Sequence, residues 1–560
     1  MKRARPSRPT PVAPIATFAA ALAFACLAPR PAFADELAVP DIETRIRNSG
    51  NAVPPSALPV LVFPESAPLP ANESLRPAEP EPVVAPAVAT GEAPPSADPV
   101  VSPPEPASPT GLTGFAELGA GSPGALHGAL SVAQRPTAAT VGFAIDLGYS
   151  SADGYGGRSQ GSGWFDREMA VGLTLDSPTG GRPWKASLRV RDEADGLQGA
   201  SEYYSLAARS ADWSLSALAF GSDGAGFSAT GLFSGSIWAS FAERPGGALP
   251  PATPIEDHDG YRLEPGFRLG WKRGAVDLSL TAKYGYDVVA DSGELHAFRA
   301  DLEAAWKPGV WGLSAGVGAF HDDADGLAVP FAVSAFFDPP GSLFGRVSLS
   351  GGIAVGRMGV NDLARENPFA YRSGLPAYAA DWNAVFSAEL APAPEFTAAF
   401  SAEFRKSLPD RGIIYLTGET VPDGRVAWNR AERDSLVTTG SVTWKRSVFE
   451  ATGTYTGEWL DRLGRDSIHG VSGSLTVSDP DGARRWSATA VAGFALDDDV
   501  LPRLALSASV RPLPRFLVTL SAVDILSLAA GEDRMLDDLY QERSGSVILS
   551  FRVDFLPGGN

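Results

Sequence analysis

Cysteine is almost missing from this sequence: Cys26 is the single one in 560 residues. A disulfide framework and a thiolate metal site are therefore excluded. Positive charge is scarce too. Lys and Arg total 46 against 65 Asp and Glu, a net charge of −19, so the phosphate-neutralising surplus of a nucleic-acid binder is absent. No stretch reaches the 18 or more nearly uninterrupted apolar residues of a membrane-spanning helix, which removes the helical inner-membrane class. The five histidines, His127, His258, His296, His321 and His469, show neither metal-ligand spacing nor a neighbouring nucleophile motif. The expectation is a protein that is not an enzyme and carries no cofactor.

What is present begins with an address. Lys2, Arg3, Arg5 and Arg8 precede the apolar run Ile15 to Ala28, and Ala32-Phe33-Ala34 offers small residues to a signal peptidase. Residues 1–34 read as a Sec signal peptide, too short to cross a bilayer, for which a helix needs about 20 residues. Cleavage before Cys26 as a lipoprotein is the competing reading, which Phe24 and the apolar residues after it suit poorly.

Residues 35–112 are crowded with Pro, Ala and Glu, as in Pro77-Ala78-Glu79-Pro80-Glu81-Pro82. Too little apolar burial is available there to offset chain entropy, so a disordered periplasmic tether is expected. In polyproline II, at about 3.1 Å per residue, Pro68 to Thr110 reaches on the order of 130 Å. Two islands stand out: Asp41 to Asn48, with helical composition, and Pro59-Val60-Leu61-Val62-Phe63, which suits strand addition to a periplasmic partner. A plain spacer is the simpler reading.

From residue 113 to 560 the dominant signal is a period of two over runs of about ten residues. In one run Val276, Leu278, Leu280, Ala282, Tyr284 and Tyr286 oppose Asp277, Ser279, Thr281, Lys283 and Gly285. In another, Phe396, Ala398, Phe400, Ala402 and Phe404 oppose Thr397, Ala399, Ser401, Glu403 and Arg405. The last run sets Val547, Leu549, Phe551, Val553 and Phe555 against Ile548, Ser550, Arg552 and Asp554. Charges keep the phase of Ser and Gly, as a barrel must, since a base on its lipid face costs about 2–4 kcal/mol at mid-depth. A soluble sandwich also alternates, but its strands average about 5–6 residues, whereas tilted membrane strands need about 9–11.

Connections alternate in kind. Tight turns such as Thr179-Gly180-Gly181, Lys272-Arg273-Gly274, Lys307-Pro308-Gly309 and Arg511-Pro512-Leu513-Pro514 exchange with longer acidic stretches. Among the latter are Glu256-Asp257-His258-Asp259, His321 to Gly326, Asp497-Asp498-Asp499 and Gly531 to Glu542. Short periplasmic turns and long outer loops are the habit of bacterial outer-membrane barrels. Trp184, Trp271, Trp306, Trp311, Trp444 and Trp486 lie near the tight turns, as an aromatic belt would. The predicted fold is all-β: a closed antiparallel transmembrane β-barrel of about 22 strands, with Thr113 to Gln134 as a further hairpin.

Signal peptide, alternating runs and a final run Val547 to Phe555 ending on an aromatic together resemble a bacterial outer-membrane β-barrel, inserted by the barrel-insertion machinery. In strand number and length the pattern is similar to the barrels of TonB-dependent receptors. The Pro-rich tether stands where that family carries a plug domain, and Leu556 to Asn560 follow the terminal aromatic.

The functional expectation is a pore or channel for passive passage of small polar solutes. Asp277, Lys283, Glu403, Arg405, Arg552 and Asp554 are the candidate lumen residues that set its field. The alternative is a structural or surface-interaction barrel with an occluded lumen. Its acidic loops, Asp323-Ala324-Asp325-Gly326 and Asp497-Asp498-Asp499, would offer carboxylates to divalent cations, though plain solvated turns fit them as well. Met535, Leu536, Leu539 and Tyr540 fall at helical spacing, which predicts a short helix within Glu532 to Gln541.

Overall fold

The period-two runs become strands of one antiparallel sheet that closes on itself. The computed structural model describes residues 112–555, except 180–181, 202, 222–225, 244–257, 291, 340–343, 422–423, 460–467, 481–484, 497–500, 531–539 and 544. The signal peptide, the tether before Leu112 and the helix predicted for Glu532 to Gln541, save Tyr540 and Gln541, lie outside the described residues.

The sheet holds 23 strand segments. Gly326–Ala328 and Phe331–Phe337 both pair with Trp311–Asp322 and are two halves of one crossing, so the barrel has 22 passes. It closes where the first pass, Leu112–Ser122, pairs with the last, Ser546–Phe555, from Gly114 opposite Phe555 to Ser122 opposite Val547. Closure leaves no sheet edge at the junction of first and last passes, where each backbone group left unpaired in hydrocarbon would cost several kcal/mol. The Thr113 to Gln134 hairpin supplies the first two passes.

The apolar phase is the exposed one. Leu302, Val317 and Leu349 are 51%, 52% and 60% exposed, which a sandwich core would not allow. The stripe therefore faces lipid, and the Ser, Gly and charged phase faces inward. On the tenth pass, Gly293–Trp306, the outward band runs from His296 to Trp306. That distance is about 33 Å along the strand and about 25 Å along the membrane normal at the usual tilt, the height of an outer-membrane apolar band.

All six tryptophans named above sit at the tight-turn end. At the other end the outward side chains turn amphipathic: the Tyr284 hydroxyl is 2.6 Å from Nδ1 of His296, and the Tyr455 hydroxyl 2.7 Å from Nδ1 of His469. Arg167 and Arg209 flank Asp192 there at 3.4 and 2.7 Å. The chain is thus an outer-membrane β-barrel, with tight turns on the periplasmic side and long loops outside.

The long-loop end carries extra structure. The hairpin Ile413–Thr420 and Val426–Ala431 forms its own small sheet between the fifteenth pass, Phe396–Ser407, and the sixteenth, Asp434–Arg446. Short helices occupy Val360–Glu366 and Ile525–Ala530.

Candidate functional site

A barrel of 22 strands encloses a lumen too wide for side chains of opposite walls to meet. Here residues from nearly opposite walls do meet, because outer loops reach across the mouth. Leu197, Tyr203 and Leu206 come from around the connection between the fifth pass, Trp184–Gly196, and the sixth, Ser205–Phe220. They pack with Phe369, from the connection after Phe344–Met358, with Val426 of the small hairpin, and with Tyr540, from the connection before the last pass. Leu197 and Tyr540 are fully buried. The rings of Phe369 and Tyr540 stack face to face, 3.7 Å between centroids and 3° between planes.

Polar contacts fix this roof. Gln198 Nε2 donates to the Gln541 carbonyl at 2.8 Å, and the Gln541 amide donates back to Gln198 Oε1 at 2.7 Å. Trp164 Nε1 donates to Gln541 Oε1 at 3.0 Å, and the Tyr540 hydroxyl to the Gly424 carbonyl at 2.9 Å. Gly424 adopts φ +91°, and a Cβ there would lie 3.0 Å from the Ala200 carbonyl oxygen, so only glycine lets the hairpin tip approach. The Val426 amide donates to the Phe369 carbonyl at 2.9 Å, and the Val426 carbonyl accepts from the Tyr371 amide at 2.9 Å. Arg543 meets Asp166 at 3.2 Å and Arg503 meets Glu542 at 2.6 Å. Burial pushes the Arg372 guanidinium below its ordinary pKa, while Asp195 and Glu193 hold it up.

Beneath the roof the wall changes character. The thirteenth pass, Phe344–Met358, pairs with the twelfth only up to Ile353, which lies opposite Phe331. Among the described residues, Ala354–Met358 pair only with the fourteenth pass, Ala377–Ala393, and Gly326–Ala328 pair only with Trp311–Asp322. Register along Val347–Met358 is unbroken, so Val355 keeps the outward phase of Leu349. Val355 is nevertheless buried, against the inward residues Leu295, Ala297 and Phe320 of passes ten and eleven.

Tyr378 shares this fate. It has the phase of the exposed Trp382, yet its ring lies 4.7 Å from Phe320 and its hydroxyl 3.3 Å from the place of a Cβ on Gly285. The upper thirteenth and fourteenth passes have slid inside passes nine to twelve. Two leaves overlap there, sealed by side chains rather than by a backbone ladder.

Ionic contacts pin the leaves. Arg411, just after the fifteenth pass, meets Asp322 at 2.8 Å and donates to the Gly326 carbonyl at 2.6 Å. Arg430 of the small hairpin grips both oxygens of Asp325, at 3.0 and 2.6 Å. Arg357 meets Asp287 at 2.7 Å across the lumen side. The acidic turn proposed for cations thus spends the Asp325 carboxylate on an arginine, and no group of three metal-type ligands occurs among the described residues.

The six candidate lumen residues lie on the inward phase but do not form one site. Asp277 is exposed near the periplasmic end of its strand. Lys283 lies 3.8 Å from Glu264 and lines a pocket at the foot of the seam. Glu403 and Arg405 pair with each other on one strand. Arg552 and Asp554 are buried at 2.8 Å, with Arg511 also 2.8 Å from Asp554 and the Phe115 ring 3.7 Å from the Arg552 guanidinium carbon. That last group braces the closure between first and last passes. The seam is not legible in the alternation, and Arg357, a base on the apolar phase, is the available signal for it; of the roof, the sequence offers Tyr540 and the occluded-lumen alternative but not the partners that Tyr540 meets.

No protein-family model matches the sequence, and no curated protein matches it. Solved structures do. The siderophore receptor PirA of Acinetobacter baumannii superposes with a TM-score of 0.60 at 8% identity, over 80% of this chain and 81% of that one. The FrpB iron transporter of Neisseria meningitidis gives 0.59 at 9%, over 80% and 82%. The ferric enterobactin receptor PfeA of Pseudomonas aeruginosa gives 0.58 at 11%, over 80% and 81%. At such identities the likeness is one of fold, and at that level the resemblance to TonB-dependent receptor barrels holds.

Proposed function

We propose that the chain is a solute-transport barrel of the outer membrane whose resting mouth is closed by its own outer loops. The observation that carries this reading is the Phe369–Tyr540 stack, which joins loops rooted eight passes apart. A permanently open diffusion pore needs an unobstructed mouth, so passage here requires the roof to part. The fold neighbours, named as siderophore receptors and an iron transporter, favour transport over a purely structural role. Lys283, Glu403 and Arg405 then set the field along the lumen wall.

Purified protein in a planar bilayer tests the reading. The native barrel is expected to stay mostly silent, and the double variant Phe369→Ala/Tyr540→Ala to show discrete conductance steps. A double variant that keeps the heat-modifiable mobility of a folded barrel and stays as silent as the native protein would overturn it. Steady large conductance of the native barrel would overturn it equally.

A further inference from the structure

The roof covers the outer mouth, whereas the periplasmic mouth is wide. With 22 passes spaced about 4.8 Å apart and tilted by about 40°, the lumen measures on the order of 45 Å between backbones. The periplasmic connections, none longer than residues 135–141, reach about 25 Å at full extension. They are too short to cross it.

Two arginines face into this space without a counter-charge. Arg189 on the fifth pass and Arg268 on the eighth, His258–Arg273, lie on the inward phase, a few residues above Trp184 and Trp271, and both are exposed. Neither makes a hydrogen bond or an ion pair among the described residues. Register sets Arg268 between Thr230 and Thr281, and Arg189 between Gly172 and Asp212. The facing wall presents paired hydroxyls instead, Thr443 with Thr452 at 3.1 Å and Thr476 with Thr489 at 3.0 Å.

The chain itself supplies a partner of the opposite charge. Residues 77–111, which lead into the first pass at its periplasmic end, hold five acidic residues, eleven prolines and neither Lys nor Arg. Proline fixes φ, so holding such a segment extended forfeits little further chain entropy. At about 3.1 Å per residue, Glu92 lies up to about 62 Å and Asp98 up to about 43 Å from Leu112 along the chain. Both reach the fifth and eighth passes from the first.

We infer that residues 77–111 turn back through the periplasmic mouth and dock on this wall, with the Glu92 and Asp98 carboxylates at the Arg189 and Arg268 guanidiniums. Charge-assisted hydrogen bonds hold the segment there. One extended chain fills only part of such a lumen, so docking does not depend on whether the roof gates solutes.

Endoproteinase Glu-C reads the position of Glu92, because a protease is too bulky to follow a chain into the lumen. It cuts after Glu unless Pro follows, so Glu79, Glu81 and Glu105 are silent. Glu73 and Glu92, followed by Ser74 and Ala93, are cleavable. With the purified full-length barrel in neutral detergent, cleavage after Glu92 should be at least about tenfold slower than after Glu73, the internal standard. Arg189→Gln/Arg268→Gln should bring the two rates together. Salt at about 1 M, where the Debye length is about 3 Å, should do the same to the native barrel.

The variant is first checked for heat-modifiable mobility, and if it fails, the salt arm decides. Equal rates at Glu73 and Glu92 in the native barrel would overturn the proposal and leave residues 77–111 a plain spacer. Protection of Glu92 that survives both the Gln pair and salt would overturn it as well, since something other than these arginines would then hold the segment. A silent or a leaky native barrel leaves the cleavage pattern unaffected, so the two readings fail separately.

Discussion

Single arginines hold the outer half of this barrel together. Arg411 and Asp322 have side chains only 5% and 1% exposed, and their separation is 2.8 Å. Removing one partner of such a pair strands the other charge in low dielectric, which costs about 3–5 kcal/mol. Arg411→Ala should therefore loosen residues 408–412 while leaving the distant wall intact. The readout is hydrogen exchange at the Ala380 amide, which donates to the Arg411 carbonyl at 3.0 Å. Faster exchange there, with unchanged protection along Phe516–Val523, is the expected pattern; equal protection at Ala380 would show that the ion pair holds nothing. Arg411→Lys should fall between, because an ammonium lacks the fork that reaches Asp322 and the Gly326 carbonyl together. Arg357 shows how one residue carries information that pattern reading missed. It sits on the apolar phase of its strand, where a base would cost about 2–4 kcal/mol against lipid. The cost never arises, since the strand has already turned inside and Arg357 faces Asp287.

Strands and turns were legible because their causes are local. Alternation over ten residues fixes which face is apolar, and Pro and Gly in Lys307-Pro308-Gly309 fix where the chain reverses. The roof has no such local cause. Gln198 and Gln541, 343 residues apart, meet only after the whole sheet has closed. The seam was hidden differently: the alternation through Val355 and Tyr378 is that of a lipid-facing strand, and what changed was the surface opposite them.

The small hairpin links the two features, since Val426 joins the roof cluster and Arg430 grips Asp325 beside the seam. Replacing residues 413–431 by a short Gly-Ser link should remove both contacts without touching the barrel ladder, because Phe396–Ser407 and Asp434–Arg446 pair directly. The expected outcome is a folded barrel with frequent conductance steps. A hairpin-less barrel that folds and remains closed would assign the roof to Phe369 and Tyr540 alone. The substitution Gly424→Val is the milder form. At φ +91° a β-branched residue is strained, and its Cβ would press on the Ala200 carbonyl. Partial opening should follow.

For the molecule as a whole, everything rests on which surface the apolar phase touches. Leu302 lies on the outward face four residues above Trp306, inside the band bounded by that tryptophan and His296. Ser314 lies on the inward phase two passes of the same sheet away from Lys283, and its hydroxyl already bonds the Ser334 hydroxyl at 2.6 Å. The two sites share a ladder, with Ala305, the register partner of Ser314, three residues nearer the tryptophan belt than Leu302. Introducing arginine at each separates lipid from water by one measurement. Leu302→Arg should destabilise the barrel by about 2–4 kcal/mol in reversible denaturant unfolding from lipid vesicles, the cost of a base near the bilayer midplane. Ser314→Arg, entering a polar lumen, should cost far less and shift ion selectivity toward anions in any open state. Equal penalties at both sites would mean that the two faces meet the same medium. In that case a closed sheet of 22 passes would have to be explained without a membrane.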